Sequence, residues 1–252
     1  LNVPEIWLNS INFKIFFCII TFILIFANYE KEKINYFHLI LITLAGLTGI
    51  YSCILFPVFF FKYVIYKNKQ NLLNFLSIFI CTIVQLILIL YGKLSNLLYE
   101  EKIHSINFDL FINYIYNVFI KAFLGTSLTK YFYYNYLAYE LNLYIISAFI
   151  IFLLIIISIF LYNSLIKNSF LHTQNKFIII SSFYSLIATS LVVMIGAVSD
   201  YVGGRYAALP SFYFLVIVMV FYIFFSNSKV KNIFLLLLMT SILTGFYEFR
   251  PP

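Results

Sequence analysis

Charge is scarce in this chain. Asp, Glu, Lys and Arg make up 10% of its 252 residues, against about 25% in an ordinary soluble domain. Acid is scarcer than base, 9 residues against 16. No two carboxylates stand at a spacing that proposes acid–base work. The three cysteines, Cys18, Cys53 and Cys81, all fall inside apolar runs. They read as small buried hydrophobes, not as disulfide partners or metal ligands. CxxC, HExxH, Walker-type and G-x-G-x-x-G patterns are absent, so the sequence assigns no metal and no cofactor. It has no clustered basic stripe, which argues against nucleic acid as a partner. No basic segment precedes the first apolar run, so no secretory signal is read. The opening Leu1-Asn2-Val3-Pro4-Glu5 and the closing Arg250-Pro251-Pro252 are expected to be cuts within a longer protein, whose N-terminal part precedes this segment.

What is abundant is apolar surface. Hydrophobic residues make up 63% of the chain, and the mean hydropathy is +1.00. A water-soluble core cannot bury that much, so the expectation is an all-α, polytopic transmembrane helix bundle with membrane lipids as partners. The formal net charge of +7 fits lysines in loops that obey the positive-inside rule.

Crossing the hydrocarbon core takes about 20 apolar residues. Candidate spans are Ile11 to Ala27, Tyr36 to Phe61, Leu72 to Tyr91, Leu141 to Tyr162, Phe177 to Val198, Ala207 to Ser226 and a shorter run, Ile233 to Phe246. That predicts about seven spans in one membrane domain, residues 1–252. Within the mixed region Gly92 to Glu140, the stretch Phe108 to Leu124 carries Asp109, Asn113, Asn117 and Lys121 about one helical turn apart. This amphipathic stripe predicts a helix at the interface, or a re-entrant one, instead of a further span. The connectors Lys62 to Asn71, Asn163 to Lys176 and Asn227 to Asn232 hold lysines and no acid. They are therefore placed in the cytoplasm, with the loop ahead of Ala207 facing outward.

That loop carries the leading functional candidate. Arg205 lies in Asp200-Tyr201-Val202-Gly203-Gly204-Arg205-Tyr206-Ala207-Ala208-Leu209-Pro210, between two runs without charge. A guanidinium at the mouth of two spans is costly unless an anion meets it. Gly203 and Gly204 allow a tight turn and close approach of backbone to a ligand. Pro210 is expected near the start of the next helix, where proline is tolerated. A helix N-terminus favours an anion, and Arg offers a bidentate fork suited to phosphate. Gly204, Arg205 and Tyr206 are therefore the candidate substrate-binding residues, with a snorkelling Arg205 paired to Asp200 or to headgroups as the plain alternative.

A second feature is Leu44 to Pro57, where Ala45, Gly46, Thr48 and Gly49 make a small-residue face and Pro57 implies a kink. Close helix packing is the first reading, and a broken helix beside a polar cavity is the second. A third is Pro4 to Asn12, where Glu5 reads as a solvated loop carboxylate or a base, and Trp7 as an interfacial anchor. Gln85, in mid-span, is expected to bond a neighbouring helix.

These stretches (Pro4 to Asn12, Leu44 to Pro57, Gln85, and Gly203 to Ser211) together resemble the C-terminal half of bacterial polytopic proteins of the GT-C glycosyltransferase-like type. The resemblance implies a multi-pass protein of the bacterial cytoplasmic (inner) membrane that takes sugar from a polyprenyl-phosphate carrier on the outer face. It implies a catalytic carboxylate upstream of this segment, and carries over only Arg205, and with it Tyr206, as contacts to the lipid phosphate. The alternatives left open are a polysaccharide transporter, flippase or polymerase, and a non-catalytic membrane subunit.

Overall fold

Glycine, proline and asparagine decide where the apolar runs stop. The computed structural model describes residues 10–28, 33–94, 108–125, 173–195, 205–224 and 228–248. Among them the secondary structure is helical, with no strand. The chain divides into two compact units, Leu1–Ile103 with Ile187–Thr189, and His104–Leu186 with Ser190–Pro252. Two helical stretches, Lys69–Tyr91 and Lys176–Met194, are long and apolar enough to cross a membrane. The expected span Leu141 to Tyr162 lies outside the described residues.

In the first unit, α1 is Ser10–Ile25, α2 Tyr36–Thr48, α3 Ile50–Cys53, α4 Phe56–Tyr66 and α5 Lys69–Leu94. The expected single span Tyr36 to Phe61 is therefore not one helix. It breaks at Gly49, whose φ of 165° is extended backbone, and again at Ile54 and Leu55. The physical reason is local. Thr48 turns its hydroxyl onto the Ala45 carbonyl (2.8 Å), a bond that competes with continued helix. Pro57 sits at the start of α4, not in mid-helix as a kink, because a missing N–H costs nothing in a first turn. By contrast α5 has no glycine or proline until Gly92 and runs 26 residues unbroken.

Cross-helix contacts fix the directions. Asn35 meets Gln70, Thr43 meets Ser77 and Leu47 meets Gln85. Both numbers rise together, so α2 runs parallel to α5. Phe60 stacks near Phe75 (5.3 Å between centroids) and Phe56 near Phe79 (6.0 Å). Here one number falls as the other rises, so α4 runs antiparallel to α5. The run 36–66 thus goes out beside the first half of α5 and comes back. Its tip, at α3, lies level with Thr82, whose hydroxyl reaches the Cys53 carbonyl (3.5 Å).

Small residues make this packing close. A Cβ on Gly46 would lie 2.5 Å from the Cys81 Cβ, so the two backbones approach as only glycine allows. The expectation of close packing at Gly46 therefore holds, and the run is also interrupted at Gly49. Cys18, Cys53 and Cys81 are all buried and in no disulfide.

In the second unit, α6 is Phe108–Ile115, followed by a π-helical turn, Tyr116–Ile120, that continues as helix through 121–125. α7 is Thr173–Ile195, α8 Arg205–Phe224 and α9 Ser228–Glu248. α8 is buried along its first half through Ala207, Leu209 and Tyr213. Phe119 packs edge-on against Phe214 at 4.6 Å, and Phe221 against Phe234 of α9 at 5.3 Å. The expected polar stripe on Phe108 to Leu124 is not uniformly wet. Asn117 is buried and gives its amide to the Asn113 carbonyl (2.8 Å). The π turn shifts the phase of the helix, so a stripe counted at 3.6 residues per turn stops sharing one face there. The side chain of Asp109 lies outside the described residues.

Candidate functional site

Arg205 is the first residue of α8. The sequence places its guanidinium, the paired glycines and the apolar runs together, and the fold puts a helix start at that residue. Gly204 and the side chains of Arg205 and Tyr206 lie outside the described residues, as do Gly203 and Asp200. A helix of 20 residues directs its first N–H groups and the positive end of its dipole toward the residues that precede Arg205.

Pro210 is the sixth residue of the helix and lies inside it, past the first turn where the sequence had placed it. Having no N–H, it cannot serve the Tyr206 carbonyl four residues back. Ser211, the next residue, sends its hydroxyl across to the Val118 carbonyl in the π turn (3.0 Å). The Lys121 amide closes that turn on the Tyr116 carbonyl, five residues back. Phe214, one turn further along α8, is held between Phe119 and Phe123. Tyr114 hydrogen-bonds Ser190 of α7, and Thr244 of α9 reaches the Phe123 carbonyl (3.3 Å). Three helices therefore grip the π-containing helix, and α8 is gripped next to its proline. Among the described residues no carboxylate is part of this grip, and its hydroxyls, on Tyr114, Ser190, Ser211 and Thr244, are engaged in hydrogen bonds. Its chemistry is to fix a helix end.

A second cluster was not foreseen. The connector Lys62 to Asn71, expected as a wet basic loop, is a tight corner with a polar interior. Lys67 adopts the left-handed conformation (φ 43°, ψ 40°) and bonds the Tyr63 carbonyl (2.7 Å). Asn68 then starts α5 by accepting the Asn71 amide (2.7 Å), as an N-cap does. Lys67 and Lys69 stay exposed, while Lys62, Gln70, Asn71 and Asn74 are buried. The Lys62 ammonium reaches the Ala27 carbonyl (2.6 Å). Gln70 accepts the Asn35 amide (2.6 Å), donates to the Asn35 carbonyl (3.4 Å) and donates to Asn74 (2.7 Å). Both amide atoms of Asn71 are buried with no hydrogen-bond partner. The sequence carried a signal for this cluster in its four amides within residues 68–74, which a count of lysines alone passes over. It offers amide donors and acceptors and one buried amine, that of Lys62.

The remaining candidates are placed as follows. Gln85 bonds the Leu47 carbonyl (2.8 Å), a neighbouring helix as expected. Asn35 caps α2 by accepting the backbone N–H of His38 (3.2 Å), a residue the sequence does not single out. Glu5 and Trp7 lie outside the described residues. Among the described residues no three His, Cys, Asp or Glu side chains group as metal ligands would. Compared with protein families, with characterised proteins and with solved structures, the chain matches none of them.

Proposed function

We propose that the chain is the membrane domain of a GT-C glycosyltransferase-like protein. It is a multi-pass bundle of about seven apolar runs in a bacterial cytoplasmic membrane that holds the phosphate of a polyprenyl-linked sugar donor through Arg205. The observation that carries this reading is the start of α8 at Arg205, because a charged fork at the positive end of a helix is an anion site. The membrane setting is supported by Lys69–Tyr91 and Lys176–Met194. It is supported also by large apolar side chains left exposed, such as Ile80, Ile87, Leu90, Ile187 and Leu243, each above 50%. Water tolerates so much exposed apolar surface poorly, and acyl chains tolerate it well.

The test uses the full-length protein in vesicles supplied with a polyprenyl-phosphate sugar. Arg205→Ala is expected to lower transfer by about 100-fold, roughly 2.7 kcal/mol, with Arg205→Lys intermediate because it keeps charge without the fork. Unchanged transfer in Arg205→Ala removes the role. The break at Gly49 favours a second reading, a polysaccharide transporter, flippase or polymerase, since interrupted helices at membrane depth mark transport sites. Counterflow across vesicles without transfer chemistry would select it.

A further inference from the structure

We infer that α2–α4 is a re-entrant hairpin that enters one leaflet of a lipid bilayer and leaves by the side it entered. In doing so it presents Phe37, Ile40, Leu44, Phe60, Phe61 and Val64 to acyl chains. The inference rests on the membrane setting proposed above but not on any role for Arg205.

Direction is the first support. α2 runs parallel to α5 and α4 antiparallel to it, so both ends of the hairpin meet the same end of α5. Lys62 on the Ala27 carbonyl and Gln70 on Asn35 tie the connector after α1 to that same end. A run that crossed the bilayer would separate these groups by its full thickness.

Length is the second. α2 has 13 residues and α4 has 11, about 20 Å and 16 Å at 1.5 Å per residue. The hydrocarbon core is about 30 Å thick. Neither helix crosses it, since they reach about two-thirds and about half of that thickness. α5 continues past the tip through Ile83, Leu86, Ile87 and Leu90, all exposed.

Surface chemistry is the third. The outward residues of α2 fall at 37, 40 and 44, and those of α4 at 60, 61 and 64, all large, apolar and more than 40% exposed. Lysines within residues 33–69 appear only at the base, at Lys33, Lys62, Lys67 and Lys69, where headgroups would meet them, while nearer the tip Thr43 bonds Ser77, Thr48 bonds the Ala45 carbonyl and Ser52 is buried.

The fourth is the tip. Non-helical backbone at membrane depth is tolerated only when its polar groups are satisfied inside the protein. Here the Leu47 carbonyl takes the Gln85 amide (2.8 Å) and the Gly46 carbonyl takes the Cys53 thiol (3.4 Å). The Tyr51 carbonyl takes the Cys18 thiol (3.2 Å) and the Cys53 carbonyl takes Thr82. Side chains of α1 and α5 thus cover the break.

The experiment places single cysteines in the full chain, reconstituted in sealed vesicles. Tyr36→Cys and Lys69→Cys mark the two ends of the hairpin, with Lys33→Cys as the substitute where Tyr36→Cys does not fold. Tyr91→Cys marks the far end of α5. The unaltered chain, whose cysteines are buried, sets the background. A membrane-impermeant maleimide added from one side should abolish later labelling of both hairpin markers and spare Tyr91→Cys. From the other side the pattern should reverse. A fluorophore on Ile54→Cys should be quenched most by lipids brominated deep in the acyl chain. Blocking of the two hairpin markers from opposite sides overturns the hairpin and leaves the membrane setting intact. Quenching of Ile54→Cys only at headgroup depth does the same. Release of the protein by alkaline carbonate overturns both.

Discussion

Tyr36–Tyr66 and Lys69–Leu94 follow one another in the chain, and both are long, apolar and nearly free of charge. One breaks twice and doubles back, while the other is a continuous 26-residue helix. Hydropathy does not separate them. What separates them is where helix-breaking chemistry sits and what stands ready to satisfy the freed backbone. The first run carries Gly46, Thr48, Gly49, Ser52 and Pro57 within a few turns. The second carries the partners, with Ser77, Thr82 and Gln85 all on its side facing the first. Each run makes sense only with the other.

The largest expected effect tests the close approach. Gly46→Leu forces atoms into a space where even a Cβ would meet the Cys81 Cβ at 2.5 Å. Overpacking of this kind costs about 3 kcal/mol, measured by reversible unfolding in mixed micelles. Gly46→Ala should show a smaller loss, and the double variant Gly46→Ala with Cys81→Gly should recover part of it relative to the two single variants, whereas simple additivity would show that the two residues do not collide.

A smaller effect tests the base. Gln70→Ala leaves the Asn35 amide and the Asn74 side chain without the partner that serves both in the structure. The expected loss is about 1 kcal/mol, from the hydrogen bonds that the Gln70 side chain makes. A loss within error would mean that the connector does not lie against α5. The same measurement on Ser77→Ala should show less, about 0.6 kcal/mol, as single hydrogen bonds between membrane helices do.

The smallest effect separates the two glycines. A Cβ on Gly49 would meet Lys14 Cδ at 2.9 Å, but that chain is flexible and φ 165° suits any residue. Gly49→Ala is expected to cost less than about 1 kcal/mol. A cost as large as that of Gly46→Leu would show that the break itself depends on glycine.

The second unit repeats the lesson at the candidate site. That a helix starts at Arg205 was legible from the paired glycines and the apolar run that follows. That Pro210 lies inside the helix was not, because its accommodation depends on Ser211 meeting the Val118 carbonyl 93 positions away in sequence. The stripe from Asp109 to Lys121 was legible as a pattern. Its loss of phase at Tyr116–Ile120 was not, since a π turn leaves no mark in composition. The corner at Lys62 to Asn71 was read by its lysines, while its amides decide which side chains are buried.

The sequence by itself determined that the chain is helical and strongly apolar, and that its one guanidinium between uncharged runs stands where a helix begins. These are properties of composition and of neighbours in the chain, so they need no fold to be read. Only the tertiary structure decided which apolar run is continuous and which turns back. A break in a helix is stable only if other segments satisfy the backbone groups it frees, and here those partners lie 29 to 38 positions away.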